Sequence, residues 1–267
     1  MGAAKVKNLA LIILALLNCA LLVLVIPMQM QERRQSWRTT QELRALYESA
    51  EVQLPEKIPE SRNLHALEAT LDPEAAAAAA GAVLGGSVTA SSESYLLQYH
   101  SPYGTCVIRR TQMEADLEGR NVSGSGVKAV ERLLEEMKLS GRAVEEGSGT
   151  VAAYQSILGT EIFSSRLIFS FEDGRLTGVS GTFCPVEATL VALGKEFCIP
   201  CTDALVAFLN ARGETGWVGE VILSAEQGYL LADTASAAKL RFTPAWRLET
   251  DTGTYYVNGL TGEVFQD

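Results

Sequence analysis

The chain has 267 residues, a formal net charge of −10 and a hydrophobic fraction of 47%. This length and apolar content suffice for one or two domains with their own cores, and they predict that most of the chain is globular rather than disordered. The negative charge repels phosphate backbones, so we expect no nucleic-acid partner. The chain has two histidines, His65 and His100. Neither stands at i+3, i+4 or C-x-x-C spacing to another residue that could bind a metal. We therefore expect no metal site, no Ser-His-Asp triad and no cofactor.

The first predicted element is a membrane-spanning helix over residues 9–30. Its apolar run is LALIILALLNCALLVLVI, interrupted by one strongly polar residue, Asn18. At a helical rise of about 1.5 Å per residue, 9–30 can cross a hydrocarbon core about 30 Å thick. No small-x-small cleavage pattern follows, so we predict an uncleaved anchor. Basic residues flank the span on both sides, and charge alone leaves its orientation open.

Asn18 lies near the middle of this span, where an amide needs a hydrogen-bond partner. Either a helix of a partner protein or the backbone of its own helix can supply that partner. Beyond the span, residues 31–62 are predicted as a juxtamembrane helix and linker. Leu43 and Tyr47 form part of the apolar stripe of that helix, which the prolines of LPEKIP end. Our candidate partner-binding residues are Asn18, Trp37, Leu43 and Tyr47.

Farther along the chain, a unit of one helix followed by three strands recurs about three times. Asp72, Pro73 and Glu74 have the order of an N-cap, a first-turn proline and a first-turn acid before an alanine run. Apolar periodicity predicts further helices over 125–139 and 202–211. Strand hairpins are predicted over 94–110, over 166–183 with a turn at Asp173-Gly174, and from 217 to the carboxy terminus. This order predicts an α+β fold with antiparallel sheet and helices on one face.

Cys198 and Cys201 have C-x-P-C spacing directly before a predicted helix. A helix amino terminus lowers a thiol pKa, so the pair is a candidate thiol–disulfide site. A thioredoxin domain, however, needs a helix after its last strands, and this chain ends in predicted strands. Three interpretations stay open: incidental thiols, a redox pair, or a structural disulfide. Such a disulfide would join Cys198 to Cys201, or Cys184 to one of them.

The closing stretch FTPAWRLETDTGTYYVNGLTGEVF resembles the final hairpin of PepSY-like modules. The order GYLL, LRFTPAWRL and YYVNGLTGEV, together with LIILALLNCALLVLV and LYESAEVQLPEKIP near the amino terminus, is similar to the YycI family. That family comprises membrane-anchored regulators of the sensor kinase that controls the Gram-positive cell wall. The resemblance implies contact with that kinase and with a YycH-like sister regulator, without catalysis. It also implies a cytoplasmic amino terminus and an extracellular PepSY/YycH-like region.

These inferences combine into one predicted organisation. Residues 1–8 form a cytoplasmic tail, 9–30 the span and 31–62 the juxtamembrane part. Residues 63–183 and 184–267 form two extracellular α+β domains, the second PepSY-like. We expect a non-enzymatic, single-pass cell-membrane regulator of a histidine kinase that forms hetero-oligomers. The alternatives are a PepSY-type module that restrains an extracellular peptidase or wall hydrolase, and a membrane-tethered thiol oxidoreductase that uses Cys198 and Cys201.

Overall fold

A computed structural model describes residues 39–93, 96–186, 190–232, 234 and 236–266. Within these ranges no helix has both the length and the apolar character needed to cross a membrane. The predicted span over 9–30 lies outside them. The chain divides into two compact units between Ile58 and Pro59.

In the first unit, helix α1 is described over 39–49. Leu43 and Tyr47, one turn apart, are both buried. Arg44 lies on this helix, and its guanidinium donates hydrogen bonds to two backbone oxygens of the segment that follows. The oxygen of Glu56 is 2.6 Å away and that of Pro55 is 3.4 Å away. These bonds hold the proline-containing segment against the helix.

The second unit contains four helices and fourteen strands among its described residues. The helices are α2 (Pro73–Leu84), α3 (Val127–Glu136), α4 (Cys201–Asn210) and the short α5 (Arg212–Thr215). The strands are β1 (Ala66–Thr70), β2 (Thr89–Glu93), β3 (Leu96–Ser101), β4 (Gly104–Arg109), β5 (Gln112–Arg120), β6 (Gly141–Gly147), β7 (Thr150–Ile157), β8 (Thr160–Glu172), β9 (Arg175–Thr182), β10 (Val191–Leu193), β11 (Ile222–Ala232), β12 (Lys239–Thr250), β13 (Gly253–Asn258) and β14 (Val264–Gln266).

All fourteen strands belong to one sheet, in the order β10-β1-β12-β11-β8-β9-β5-β4-β3-β2. Strands β13 and β14 continue from β12, while β7 and β6 continue from β8. Pairing among the described strands is antiparallel except between β8 and β11, where Ile162 is the parallel partner of Tyr229. The predicted α+β class with antiparallel sheet is therefore confirmed.

The chain repeats one pattern three times: a helix, then four strands in sequential antiparallel pairing. The repeats are α2 with β2–β5, α3 with β6–β9, and α4 and α5 with β11–β14. The last strands of the first two repeats, β5 and β9, pair with each other. The other strands of these two repeats lie on opposite sides of that pair. Each repeat has four strands, whereas the sequence pattern predicts three.

One hydrophobic core joins the first two repeats. The Asp72 side chain caps α2 by accepting a hydrogen bond from the Glu74 amide at 2.8 Å, and Pro73 occupies the first turn, as predicted. Helix α2 contributes small residues and α3 larger ones, all packed against β3–β5 and β7–β9. Because both helices share this core, they cover the same face of that part of the sheet.

A second core lies around α4, in the third repeat. The Phe208 ring of α4 lies 4.7 Å from Trp217 and 5.2 Å from Tyr255 between ring centroids. Trp217, Trp246, Tyr255 and Tyr256 are all buried and form part of this core. The strand predicted from Trp217 begins instead at Ile222. The Trp217 side chain is held by aromatic packing against α4 rather than by sheet pairing.

Candidate functional site

The Cys198–Cys201 segment is an extended link between distant parts of the chain. The Cys198 amide donates to the Leu64 oxygen at 2.8 Å, and the Ile199 amide donates to the Gly259 oxygen at 2.7 Å. Cys201 is the first residue of α4. A Cβ atom on Gly259 would come within 2.4 Å of the Cys198 sulfur, so that thiol lies directly on the backbone of the β13–β14 turn. The segment therefore has a clear role in packing.

Both thiols of this segment are free and buried in the structure. Burial raises the pKa of Cys201 to about 12. Burial also raises the pKa of Cys198, and hydrogen bonding with Gln227 and Trp246 offsets only part of that rise. A thiol–disulfide catalyst needs a lowered thiol pKa, because the thiolate is the nucleophile. The geometry thus favours inert thiols over a redox pair.

The predicted partner-binding residues divide into two groups. Asn18 and Trp37 lie outside the described residues. Leu43 and Tyr47 lie on α1 with 3% and 1% of their surfaces exposed, whereas Leu46 on the same helix is 42% exposed. Leu43 and Tyr47 lie one turn apart on α1, and the partner-binding role of all four residues stays a prediction.

The two histidines lie at strands of the sheet, His65 directly before β1 and His100 on β3. The His65 ring lies 4.1 Å from the Phe197 ring, and its Nδ1 atom is 3.0 Å from the Glu196 backbone oxygen. His100 lies on β3, opposite Thr105 of β4. In the ranges that the structure describes, no three histidine, cysteine or acidic side chains are grouped so that they could hold a metal ion.

A cleft beside α2 is the site that sequence reasoning missed. It has a volume of about 570 Å³ and lies among the start of α2, the segment after α3, the β7–β8 turn and the segment after β9. A buried polar cluster supports one wall of the cleft. Gln155 Nε2 donates to the Cys184 oxygen at 3.0 Å, the Cys184 amide donates to Gln155 Oε1 at 2.8 Å, and Ser165 Oγ donates to the same Oε1 at 3.2 Å. These bonds fix the wall of the cleft where the chain leaves β9.

A charged and aromatic cluster covers the join between β8 and β11. Arg247 Nη1 lies 3.0 Å from Glu161 Oε1, and another nitrogen of the same guanidinium pairs with Glu226. The guanidinium carbon also lies 4.5 Å from the centre of the Phe163 ring. Phe163 lies close against Gly228 of β11, since a Cβ atom there would be 2.4 Å from the ring. This cluster joins the second and third repeats.

No protein-family model matches the chain, and no curated protein matches it. The class that the structure establishes is an α+β protein with a large, mostly antiparallel sheet and few helices. Within that class, the described part of this chain contains three successive repeats of a helix and four strands.

Proposed function

We propose that the protein is a non-enzymatic, membrane-anchored regulator of a sensor histidine kinase that controls cell-wall metabolism, of the YycI type. The observation that carries the proposal is the tandem repetition of a helix and an antiparallel four-strand unit. An α+β fold with antiparallel strands is also what the sequence resemblance implies for the extracellular region, and this likeness supports the proposal. Because a fold alone does not fix a function, the resemblance at both ends of the chain is the second support.

The environment of the cysteines supports a regulator over the thiol oxidoreductase alternative. Both sulfur atoms are buried, and burial raises both pKa values. The same segment is tied by backbone hydrogen bonds to Leu64 and Gly259. A redox site would require these thiols to ionise and to meet a substrate disulfide. Both requirements conflict with this packing.

A regulator without chemistry acts by binding two states of its kinase with different affinity. Two contacts share that task in our proposal. Asn18 contacts a kinase membrane helix, and the extracellular domains contact the kinase outside the membrane. Because both contacts belong to one chain, the first contact raises the effective concentration for the second. Each contact can then be weak on its own.

The experiment measures association between the full chain and the kinase in membranes by energy transfer between tagged helices. Replacing Asn18 with Leu keeps the span apolar but removes the amide. We expect association to weaken about threefold to thirtyfold, which corresponds to roughly 0.6–2 kcal/mol for one interhelical hydrogen bond. The matched control is Leu17→Ile, which changes shape without adding or removing a polar group. Unchanged transfer and signalling in Asn18→Leu would remove Asn18 from the contact.

The identity of the cross-linked partner separates the proposal from its alternatives. Cross-linking in native membranes, followed by mass spectrometry, should recover a histidine kinase and a YycH-like protein. Recovery of an extracellular peptidase or wall hydrolase in their place would support the PepSY-type restraint. A reporter fused after Asp267 tests the orientation, and activity of a reporter that works only in the cytoplasm would contradict it.

A further inference from the structure

The turn between β7 and β8 contains an unusual residue for its geometry. Leu158 and Gly159 form a two-residue hairpin loop with φ angles of 50° and 70°. Two positive φ values define a type I′ turn, for which Asn-Gly or Asp-Gly is preferred. The turn at the other end of β8 contains the preferred residue pair. Asp173 and Gly174 close that β8–β9 turn with φ angles of 49° and 76°. Leucine in this conformation destabilises its turn relative to aspartate or asparagine.

Leu158 is also 70% exposed. An exposed leucine adds little to the core, so neither packing nor turn geometry accounts for this residue. Leu158 thus has an unfavourable backbone conformation and an apolar side chain in contact with water. These two unfavourable features at one position point to a role outside folding. The residue lies on the wall of the cleft beside α2.

The cleft combines apolar walls with an acidic end. Leu139, Ile157 and Pro185 line it together with Leu158. Asp72 and Glu74, at the start of α2, also line it, and Lys138 is the basic residue among the lining residues that the structure describes. With two carboxylates and one ammonium, these described residues carry a net negative charge. Its complement is an apolar segment that carries lysine or arginine.

We propose that this cleft binds an apolar, basic segment of a partner protein, with Leu158 as its exposed anchor. The volume of about 570 Å³ admits a few side chains. An apolar residue at a hairpin tip fits the usual form of a binding hot spot, in which a hydrophobic group is buried by the partner. The acidic end orients the segment by attracting its basic residues. This inference rests on the proposed function, because it names a surface through which the regulator contacts protein.

The first test compares two leucine substitutions in the full chain. Leu158→Asn replaces an unfavourable type I′ residue with a favourable one, so the unfolding midpoint should stay constant or rise. Leu223→Asn is the control, because Leu223 is 61% exposed and lies outside the cleft. A role confined to folding would not produce a variant that is at least as stable and yet binds poorly.

Binding is measured with synthetic probes on the full chain in nanodiscs of zwitterionic lipid. The probe is a fluorescent twelve-residue peptide of alternating leucine and lysine. One comparison peptide replaces lysine with glutamate, and another replaces leucine with serine. We expect the leucine–lysine peptide to bind at least tenfold more tightly than either. Leu158→Asn should reduce that binding about tenfold, in line with loss of one buried leucine contact, whereas Leu223→Asn should not change it.

Glu74→Lys gives an independent test of the charge contribution. It should weaken the leucine–lysine peptide and strengthen the leucine–glutamate peptide. Equal binding of all three peptides, or equal effects of Leu158→Asn and Leu223→Asn, would overturn the inference. The proposed function is tested separately by cross-linking in membranes. It would be wrong if neither a histidine kinase nor a sister regulator is recovered, whatever the peptide measurements show.

Discussion

The contact between Gly228 and Phe163 allows a sharp test of how the second and third repeats are joined. Gly228 lies on β11 outside the left-handed region, so alanine suits its backbone. A Cβ atom there would lie 2.4 Å from Phe163 Cζ and 2.7 Å from each Cε atom. The ring has little room to retreat, because Arg247 lies on one side and Tyr256 is 5.8 Å away between ring centroids. Gly228→Ala should therefore force Phe163 out of the join.

Overpacking of this kind costs about 1–3 kcal/mol. For a domain of this size, 1 kcal/mol corresponds to roughly 2–4 °C, so the unfolding midpoint should fall by roughly 2–12 °C. The assay is thermal unfolding of the purified full chain, followed by the fluorescence of its buried tryptophans. Gly81→Ala is the matched control, since a Cβ atom there meets nothing within 4 Å and the residue lies inside α2. That variant should be more stable by about 0.5–1 kcal/mol.

A double substitution identifies the cause of the loss. Gly228→Ala combined with Phe163→Leu should be more stable than the sum of the two single effects predicts, because the smaller side chain leaves room for the added methyl group. A coupling of at least about 0.5 kcal/mol is expected for residues in direct contact. An unchanged midpoint in Gly228→Ala, or strictly additive effects, would refute the close contact between β8 and β11.

Three further predictions follow from buried or paired groups. Cys198→Ser with Cys201→Ser should leave kinase-dependent signalling intact, and both native thiols should react with iodoacetamide more slowly than an exposed cysteine; lost signalling at normal protein levels would count against inert thiols. Arg247→Met should destabilise the protein by about 1.5–3 kcal/mol, because a largely buried guanidinium is removed from its carboxylates, while Arg142→Met, with a half-exposed side chain, should cost at most about 1 kcal/mol in the same thermal assay. Hydrogen bonds from a neighbouring arginine and tyrosine lower the pKa of Glu146 in the folded protein. The stabilisation from this carboxylate is therefore present above the unfolded pKa of about 4.3 and is lost as the pH falls through the lower folded pKa. Glu146→Gln should flatten the dependence of the unfolding midpoint on pH in that acidic range, and an unaltered dependence would contradict the pairing.

Burial explains which strands the sequence can predict. Strand β5 alternates exposed side chains with buried Met113, Ala115 and Leu117, and this period of two was available as a signal. Strand β6 has no such signal, because its seven residues, GRAVEEG, are exposed apart from one. It is held at the sheet edge by backbone pairing with β7, which leaves no trace in hydrophobic patterning. The predicted hairpins over 94–110 and 166–183 leave out β2, β5, β6 and β7. Polar edge pairing explains the omission of β6, whereas the alternation of β5 could have been read from the sequence.

The candidate site could be predicted only in part for a related reason. The C-x-P-C spacing identifies Cys198 and Cys201, but their burial depends on Leu64 and Gly259, which are far away in the sequence. The β7–β8 turn could have been predicted from the local sequence, since Leu158-Gly159 stands between two runs of strand-forming residues. What the local sequence cannot supply is the cleft, whose walls come from four separate segments of the chain.

The three repeats share their framework but differ at the tip of one hairpin. The corresponding turns are β3–β4 in the first repeat, β7–β8 in the second and β12–β13 in the third. Tyr103 and Leu158 are exposed apolar residues at the first two tips. In the third, Asp251 accepts hydrogen bonds from the amides of Glu220 and Val221 and thereby serves the fold. Hairpin tips are free to vary because the framework rests on the buried alternation of the strands. The tip of the second repeat is therefore available for the binding proposed at Leu158, while the third repeat uses the corresponding position for stability.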